Sequence, residues 1–312
     1  MEITMSFQIA LTQVLITLLY IAPGFLISKA KKASAQHLPT LGAILVYVCG
    51  PSLHASAFIH MDFSWEALKN MALFFLATLI LQALFIGGVY LLFRKKQNDA
   101  RYRILNIGMV LGNVGFFGLP VIRALLPEHP EVACYSAIYS ITMNILVFTI
   151  GVYCLTGDKK YMSLKSALLN PSTIGFCVSI PLFMLGAKNF LPPQLLSALQ
   201  LVGNMSTPLC MFILGIRLSM MPFGKLFSNP FVYGVSLGKL LLFPLFCYGS
   251  VAFLPLSLPF KASLLILSAT PCASIILSLA ELHHSEMELS ANCVLVTTLL
   301  CFTTIPLLTL LL

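Results

Sequence analysis

Apolar stretches of about twenty residues follow one another from one end of this 312-residue chain to the other. A hydrocarbon core about 30 Å thick needs roughly that many residues per helical crossing, and in lipid each crossing must satisfy its own backbone polar groups. The pattern therefore dictates a polytopic α-helical membrane protein. Only 9% of the residues are charged and 59% are hydrophobic, where a soluble domain carries about a quarter charged, so a soluble fold is excluded. Ten segments are expected, at about 7–28, 38–57, 67–93, 101–126, 132–156, 165–187, 192–217, 229–254, 260–281 and 286–311. The first lacks a basic leader and a small-residue cleavage site and is too long for a signal-peptide core, so it reads as a mature helix.

The formal charge of +8 does not point to nucleic acid, because the basic residues sit in short clusters between segments and not on a face with interleaved aromatics. They read as topology signals and as contacts for anionic membrane lipid. Thirteen of them (Lys29, Lys31, Lys32, Arg94, Lys95, Lys96, Arg101, Arg103, Lys159, Lys160, Lys165, Arg217, Lys225) fall in the connections after segments 1, 3, 5 and 7. The alternate connections hold only Lys69, Arg123, Lys188 and Lys261. By the positive-inside rule the odd-numbered connections are cytoplasmic and both termini lie on the non-cytoplasmic side of a cell inner (plasma) membrane. Trp65, Tyr47 and Tyr233 read as interface anchors. The nine cysteines show no CxxC spacing and read as small buried hydrophobes, so no metal, disulfide or cofactor is called for.

Prolines recur in the same order in the two halves. Pro23 and Pro181 are 158 residues apart, Pro51 and Pro208 are 157 apart, and Pro120 and Pro271 are 151 apart. An internal duplication leaves such a pattern, and because each half has an odd number of crossings the second must be inverted. The run GNVGFFGLP at 112–120 places Gly112, Asn113, Gly115, Gly118 and Pro120 inside segment 4, where added backbone freedom and a missing N–H should break the helix. Its counterpart is ATPCAS at 269–274 in segment 9, with Pro271 among small residues. Two breaks at matching places point to a substrate site at their crossing, the bland alternative being kinked helices that merely pack.

GNVGFFGLP, NPSTIGF at the start of segment 6, TPLCMFILGIRL at the end of segment 7 and ATPCAS together resemble the auxin efflux carrier family in its short bacterial form, over essentially the whole chain. The resemblance implies an all-α membrane fold of ten transmembrane helices as two inverted five-helix repeats (1–156 and 165–312), akin to bile-acid symporters and sodium/proton antiporters. It implies that broken helices 4 and 9 cross at Pro120 and Pro271. It also implies a scaffold from helices 1, 2, 6 and 7, a moving transport domain from helices 3–5 and 8–10, and members that can dimerise. Asn113 matches the family's asparagine before the crossing, and Asn144 resembles a second asparagine that lines the pocket. The long hydrophilic central loop of the plant members is absent here, since about eight residues join segments 5 and 6.

Read without the family, Asn113 and Asn144 are amides in apolar helices, costly unless they bond a neighbouring helix or a ligand. All ten acidic residues fall in connections or at segment ends, which argues against a cation site built on a buried carboxylate. Lys239 lies about ten residues into segment 8, roughly 15 Å deep at 1.5 Å per residue. It either braces carbonyls freed at a break or raises the potential for an anion. His54 reads as a packed histidine or a proton carrier, and His283 and His284 as a solvated connection beside Glu281, Glu286 and Glu288. With no phosphate-cradling GxxxxGK[ST] run and no catalytic constellation, neither ATP hydrolysis nor an enzyme is expected. The expected function is a secondary efflux carrier of small organic anions, such as carboxylates or auxin-like acids, working by alternating access; a sodium- or proton-coupled carrier of the same fold is the alternative. The expected substrate contacts are Asn113, Gly115, Pro120, Asn144, Lys239, Pro271, Pro51 and Ser274.

Overall fold

The computed structural model describes residues 2–312, and their side chains except those of 2–5, 223 and 225, so the side chains of Glu2 and Lys225 lie outside the described part. Among the described residues the chain is helical throughout, with one isolated β-bridge. Eight helices among the described residues are long and apolar enough to cross a bilayer: α1 (Ser6–Lys29), α2 (Ala35–Ile59), α3 (Trp65–Leu92), α6 (Glu131–Thr156), α7 (Lys159–Met184), α8 (Pro193–Met220), α9 (Pro230–Val251) and α12 (Met287–Leu311). The fourth and ninth expected segments are not continuous rods. One is split into α4 (Ala100–Gly108) and α5 (Val114–Leu125), the other into α10 (Leu258–Ser268) and α11 (Ser274–Leu282).

Helix starts follow from local capping. Ser64 accepts from the Ala67 N–H ahead of α3, Asp99 from the Arg101 N–H ahead of α4, and Ser257 from the Phe260 N–H ahead of α10. Each side chain satisfies a backbone donor that the first helical turn leaves without a partner. Proline accompanies three of the four π-turns among the described residues, the exception being Val147–Gly151 in α6. Wide π-turns at Leu45–Cys49, Val114–Gly118 and Gly238–Leu242 are each followed at the second residue by a proline, at Pro51, Pro120 and Pro244. A proline has no N–H to give and its ring crowds the carbonyl one turn back, so a widened turn before it relieves both problems.

The bundle packs as two sets of neighbours. α1 lies on α8, and α2 lies on α7 and α8. These contacts are backbone-close: a β-carbon on Gly215 would stand 2.1 Å from the Ile21 carbonyl oxygen, and one on Gly175 would stand 2.8 Å from Pro51 Cα. In the second set α3 packs on α6, α10 on α6 and α9, and α9 on α4 and α12. Gln82 of α3 donates to Thr142 of α6 at 2.9 Å, and the Phe74 and Tyr135 rings stack at 4.5 Å. α1 also touches α5 and α12, and α2 touches α6, so the sets meet along those helices. α6 is 67% buried and central, whereas α7 is 22% buried and presents most of its surface outward. The outer surface carries large exposed apolar side chains, Trp65, Leu92 and Phe253 among them, which suit contact with lipid.

The connections that hold the basic clusters gather at one end. Ser28 in the last turn of α1 meets Ser219 in the last turn of α8 at 2.6 Å, Arg101 lies over the Phe231 ring at 5.2 Å, and Tyr161 lies edge-on to His283 at 5.1 Å. At the opposite end Lys188 pairs with Asp62 at 2.5 Å, and the Tyr248 hydroxyl donates to the Leu311 carbonyl at 2.7 Å.

Candidate functional site

The two interrupted helices meet at their interruptions. Residues 111–113 and 271–273 run past one another antiparallel, with Gly112 opposite Cys272 in the β-bridge. The Asn113 N–H donates to the Pro271 carbonyl at 2.8 Å and the Ala273 N–H to the Leu111 carbonyl at 3.0 Å. Bare peptide groups at membrane depth cost several kcal/mol each when unsatisfied. Here each break supplies partners for the other. Thr297 of α12 adds its hydroxyl to the Cys272 N–H at 3.0 Å.

Glycine and lysine together make the close approach possible. A β-carbon on Gly112 would lie 2.4 Å from the Thr270 hydroxyl oxygen and 2.8 Å from the Lys239 Nζ, so only glycine fits there. Lys239, fully buried in α9, donates to the Val110 carbonyl at 3.0 Å and to the Ser268 carbonyl at 2.7 Å. One ammonium thus braces carbonyls freed at both breaks, the first of the two roles open to it on sequence alone. Among the described residues it is the only fully buried Lys, Arg, Asp or Glu side chain.

On its other side the crossing faces α8 and α2. The Asn113 amide nitrogen lies 3.5 Å from the Cys210 sulfur of α8, and the Ser274 hydroxyl stands beside the same thiol, buried and with no well-formed hydrogen bond. Two polar groups and the Leu53 side chain border Gly115: the position a β-carbon would take is 3.4 Å from the Ser140 hydroxyl of α6, 3.8 Å from His54 Nε2 and 3.9 Å from Leu53 Cδ2 of α2. His54 Nδ1 is 3.2 Å from the Ser172 carbonyl. A carbonyl only accepts, so Nδ1 carries the proton, and in the neutral ring Nε2 turns a lone pair toward Gly115.

The structure therefore brings Asn113, Gly115, Pro271, Ser274 and Lys239 to one place. It does not put the crossing at Pro120, which stands in α5 beyond the π-turn; Gly112 and Cys272 hold that position. The reason is that a widened turn absorbs the proline, whereas the strand-like break needs glycine. Pro51 packs on Gly175 of α7, one residue after Gly50, which lies near Phe116 of α5. Asn144 is half-buried one turn beyond Ser140 in α6, and no hydrogen bond joins its amide to the crossing. His54, Ser140 and Cys210 are site neighbours that the residue patterns did not single out as contacts. Cys210 was visible two residues after Pro208, and Ser140 one turn before Asn144. The acidic and histidine cluster at 281–288 holds no metal-like group of three among the described residues, and Glu281 pairs instead with Arg217.

The positive ends of α5 and α11 both begin at the crossing, beside a buried ammonium, with no carboxylate buried among the described residues. Crossed half-helices enclosed in an apolar multi-span bundle are the architecture of a membrane transporter. Residues 158–309, just under half of the chain, match the sequence model of the membrane transport protein family, and over that stretch the chain is similar to a membrane transporter of that family. NPSTIGF, TPLCMFILGIRL and ATPCAS lie inside the matched stretch. The chain is also similar to an uncharacterized transporter of Methanocaldococcus jannaschii, 26% identical over 302 residues that cover 93% of this chain and 95% of the relative.

Proposed function

We propose that this transporter is a secondary carrier of small organic anions, carboxylates or auxin-like acids, with its substrate site on the α8 and α2 side of the crossing. The observation that carries the reading is the convergence on Asn113 of two half-helix N-termini and one buried ammonium without a buried carboxylate. A carboxylate entering there would meet backbone N–H groups, the Asn113 amide, the Ser274 hydroxyl and the Cys210 thiol. The matching interruptions, about 160 residues apart, support ten crossings in two inverted repeats. The two packing sets support a scaffold of α1, α2, α7 and α8 and a moving body of α3 to α6 and α9 to α12.

A cation-coupled carrier of the same fold would need oxygen ligands at the crossing, and the carbonyls best placed for that, Val110 and Ser268, are already held by Lys239. Net export needs no coupling ion, because moving one negative charge out of a cell that is negative inside is favoured by about 2.3 kcal/mol per 100 mV. The test is flux of labelled succinate, lactate and indole-3-acetate in proteoliposomes under an imposed potential. Saturable, potential-dependent flux without sodium is expected, with Asn113→Ala cutting it tenfold or more. Absence of flux for every acid tested, or flux that needs a sodium gradient, contradicts the reading.

A further inference from the structure

Beyond the crossing, one ion pair joins the two packing sets at the basic end of the molecule. Arg217, near the end of α8, makes a two-pronged contact to Glu281, near the end of α11: Nη1 bonds Oε1, and Nη2 lies 3.2 Å from Oε2. The arginine side chain is 17% exposed and the glutamate 44%. The same two helices already touch at Cys210 and Ser274. Both contacts are separated by seven residues along each helix, two turns, so they share one helix face and lie about 10 Å apart. Between them α11 presents Ser278, which is exposed and lies one turn from Ser274. Ser274, Ser278 and Glu281 thus form a polar stripe on a helix whose remaining residues, Ile275, Ile276, Leu277, Leu279, Ala280 and Leu282, are apolar. The stripe runs from the Arg217 guanidinium toward the candidate substrate site. The connection that follows α11 is held in an uncommon form, with His284 and Glu286 at φ of 49° and 47°. Non-glycine residues adopt that conformation only when their surroundings impose it.

We propose that Arg217 is an entry site for the carboxylate of the transported anion, and that Glu281 occupies it when no substrate is present. The inference rests on the anion-carrier reading above. A guanidinium fork binds any carboxylate by the same two parallel hydrogen bonds, so the Glu281 side chain and a substrate carboxylate compete for one receptor. A partly exposed ion pair contributes little net stability, which leaves Glu281 displaceable by a soluble anion. Displacement frees the end of α11 from α8 and opens the polar stripe to Ser274 and Asn113.

The test compares Glu281→Gln and Arg217→Gln with the wild-type chain, using whichever of succinate, lactate and indole-3-acetate the wild-type proteoliposomes carry, presented from the basic end. Removing the internal competitor should lower KM severalfold in Glu281→Gln, and removing the receptor should raise KM severalfold in Arg217→Gln. A tie that only holds the helices together would move both variants in the same direction, and that result overturns the proposal, as does an unmoved KM in Glu281→Gln. Should Arg217→Gln fail to fold, the near-isosteric Glu281→Gln decides alone, with thermal stability in detergent reporting its folding. No flux in the wild-type chain overturns the carrier reading and this proposal together, whereas wild-type flux with the wrong KM pattern overturns this proposal alone.

Discussion

At the scale of single residues, the crossing turns on Gly112 and Lys239. A lysine at mid-membrane costs on the order of 3 kcal/mol. Two buried carbonyls left without donors cost about 1–3 kcal/mol each. These terms oppose one another in Lys239→Met, so stability in a detergent melt should shift by no more than about 3 kcal/mol. Flux should nevertheless be lost, because the breaks are no longer tied to one another. A large loss of stability with intact flux would show that the lysine serves folding and not the crossing. Lys239 was legible as an anomaly from its depth in an apolar segment, but its partners were not, since they are main-chain oxygens 129 and 29 residues away. His54 is packed, one of the two readings its sequence position allows, but its nearness to Gly115 is set by how α2 lies against α5 and α6, which no local pattern records.

At the scale of helices, the apolar runs gave the eight long rods within a few residues, and the glycine and proline runs gave the places where two others break. What failed was the expectation that Pro120 marks the crossing, whereas Pro271 does lie in it. Pro51, Pro120 and Pro244 are absorbed by widened turns, while Gly112 and its neighbours take the extended form. Glycine spacing also predicts where rods approach most closely. Gly24 and Gly215 bring the main chains of α1 and α8 together, with a β-carbon on Gly24 placed 2.2 Å from the Phe212 carbonyl oxygen. Gly215→Val should therefore destabilise the protein by about 3 kcal/mol, the upper end of overpacking costs, because backbone cannot yield as a side chain does. Gly87→Ala, with nothing within 4 Å, should be neutral or stabilising by up to about 1 kcal/mol. Thermal melts of the two variants in one detergent check both expectations, and equal melting of the two would refute the close-approach argument.

For the whole molecule, the distribution of basic residues foretold which connections share an end. The structure gathers Ser28 with Ser219, Arg101 with Phe231 and Tyr161 with His283 there, and puts Leu311 at the other end beside Tyr248. The positive-inside rule then predicts that a reporter active only outside the cytoplasm works when fused after residue 312 and is silent when inserted between Gln97 and Asn98. The opposite pattern would reverse the orientation and place the Arg217 mouth outside. The charge distribution could not reveal the ion pair between Arg217 and Glu281, because a pairing across 64 residues depends on how α8 and α11 lie together.

Because a single ammonium grips both interruptions, they must shift as one piece and take their positive charge with them wherever they go. Under the anion-carrier reading proposed above, such a machine would be electrically quiet while it ferried a singly charged acid, the two charges cancelling, and would feel the voltage on the unloaded return leg. In a cell with a negative interior that field would draw the vacant machinery back toward the cytoplasm, resetting it to collect the next molecule.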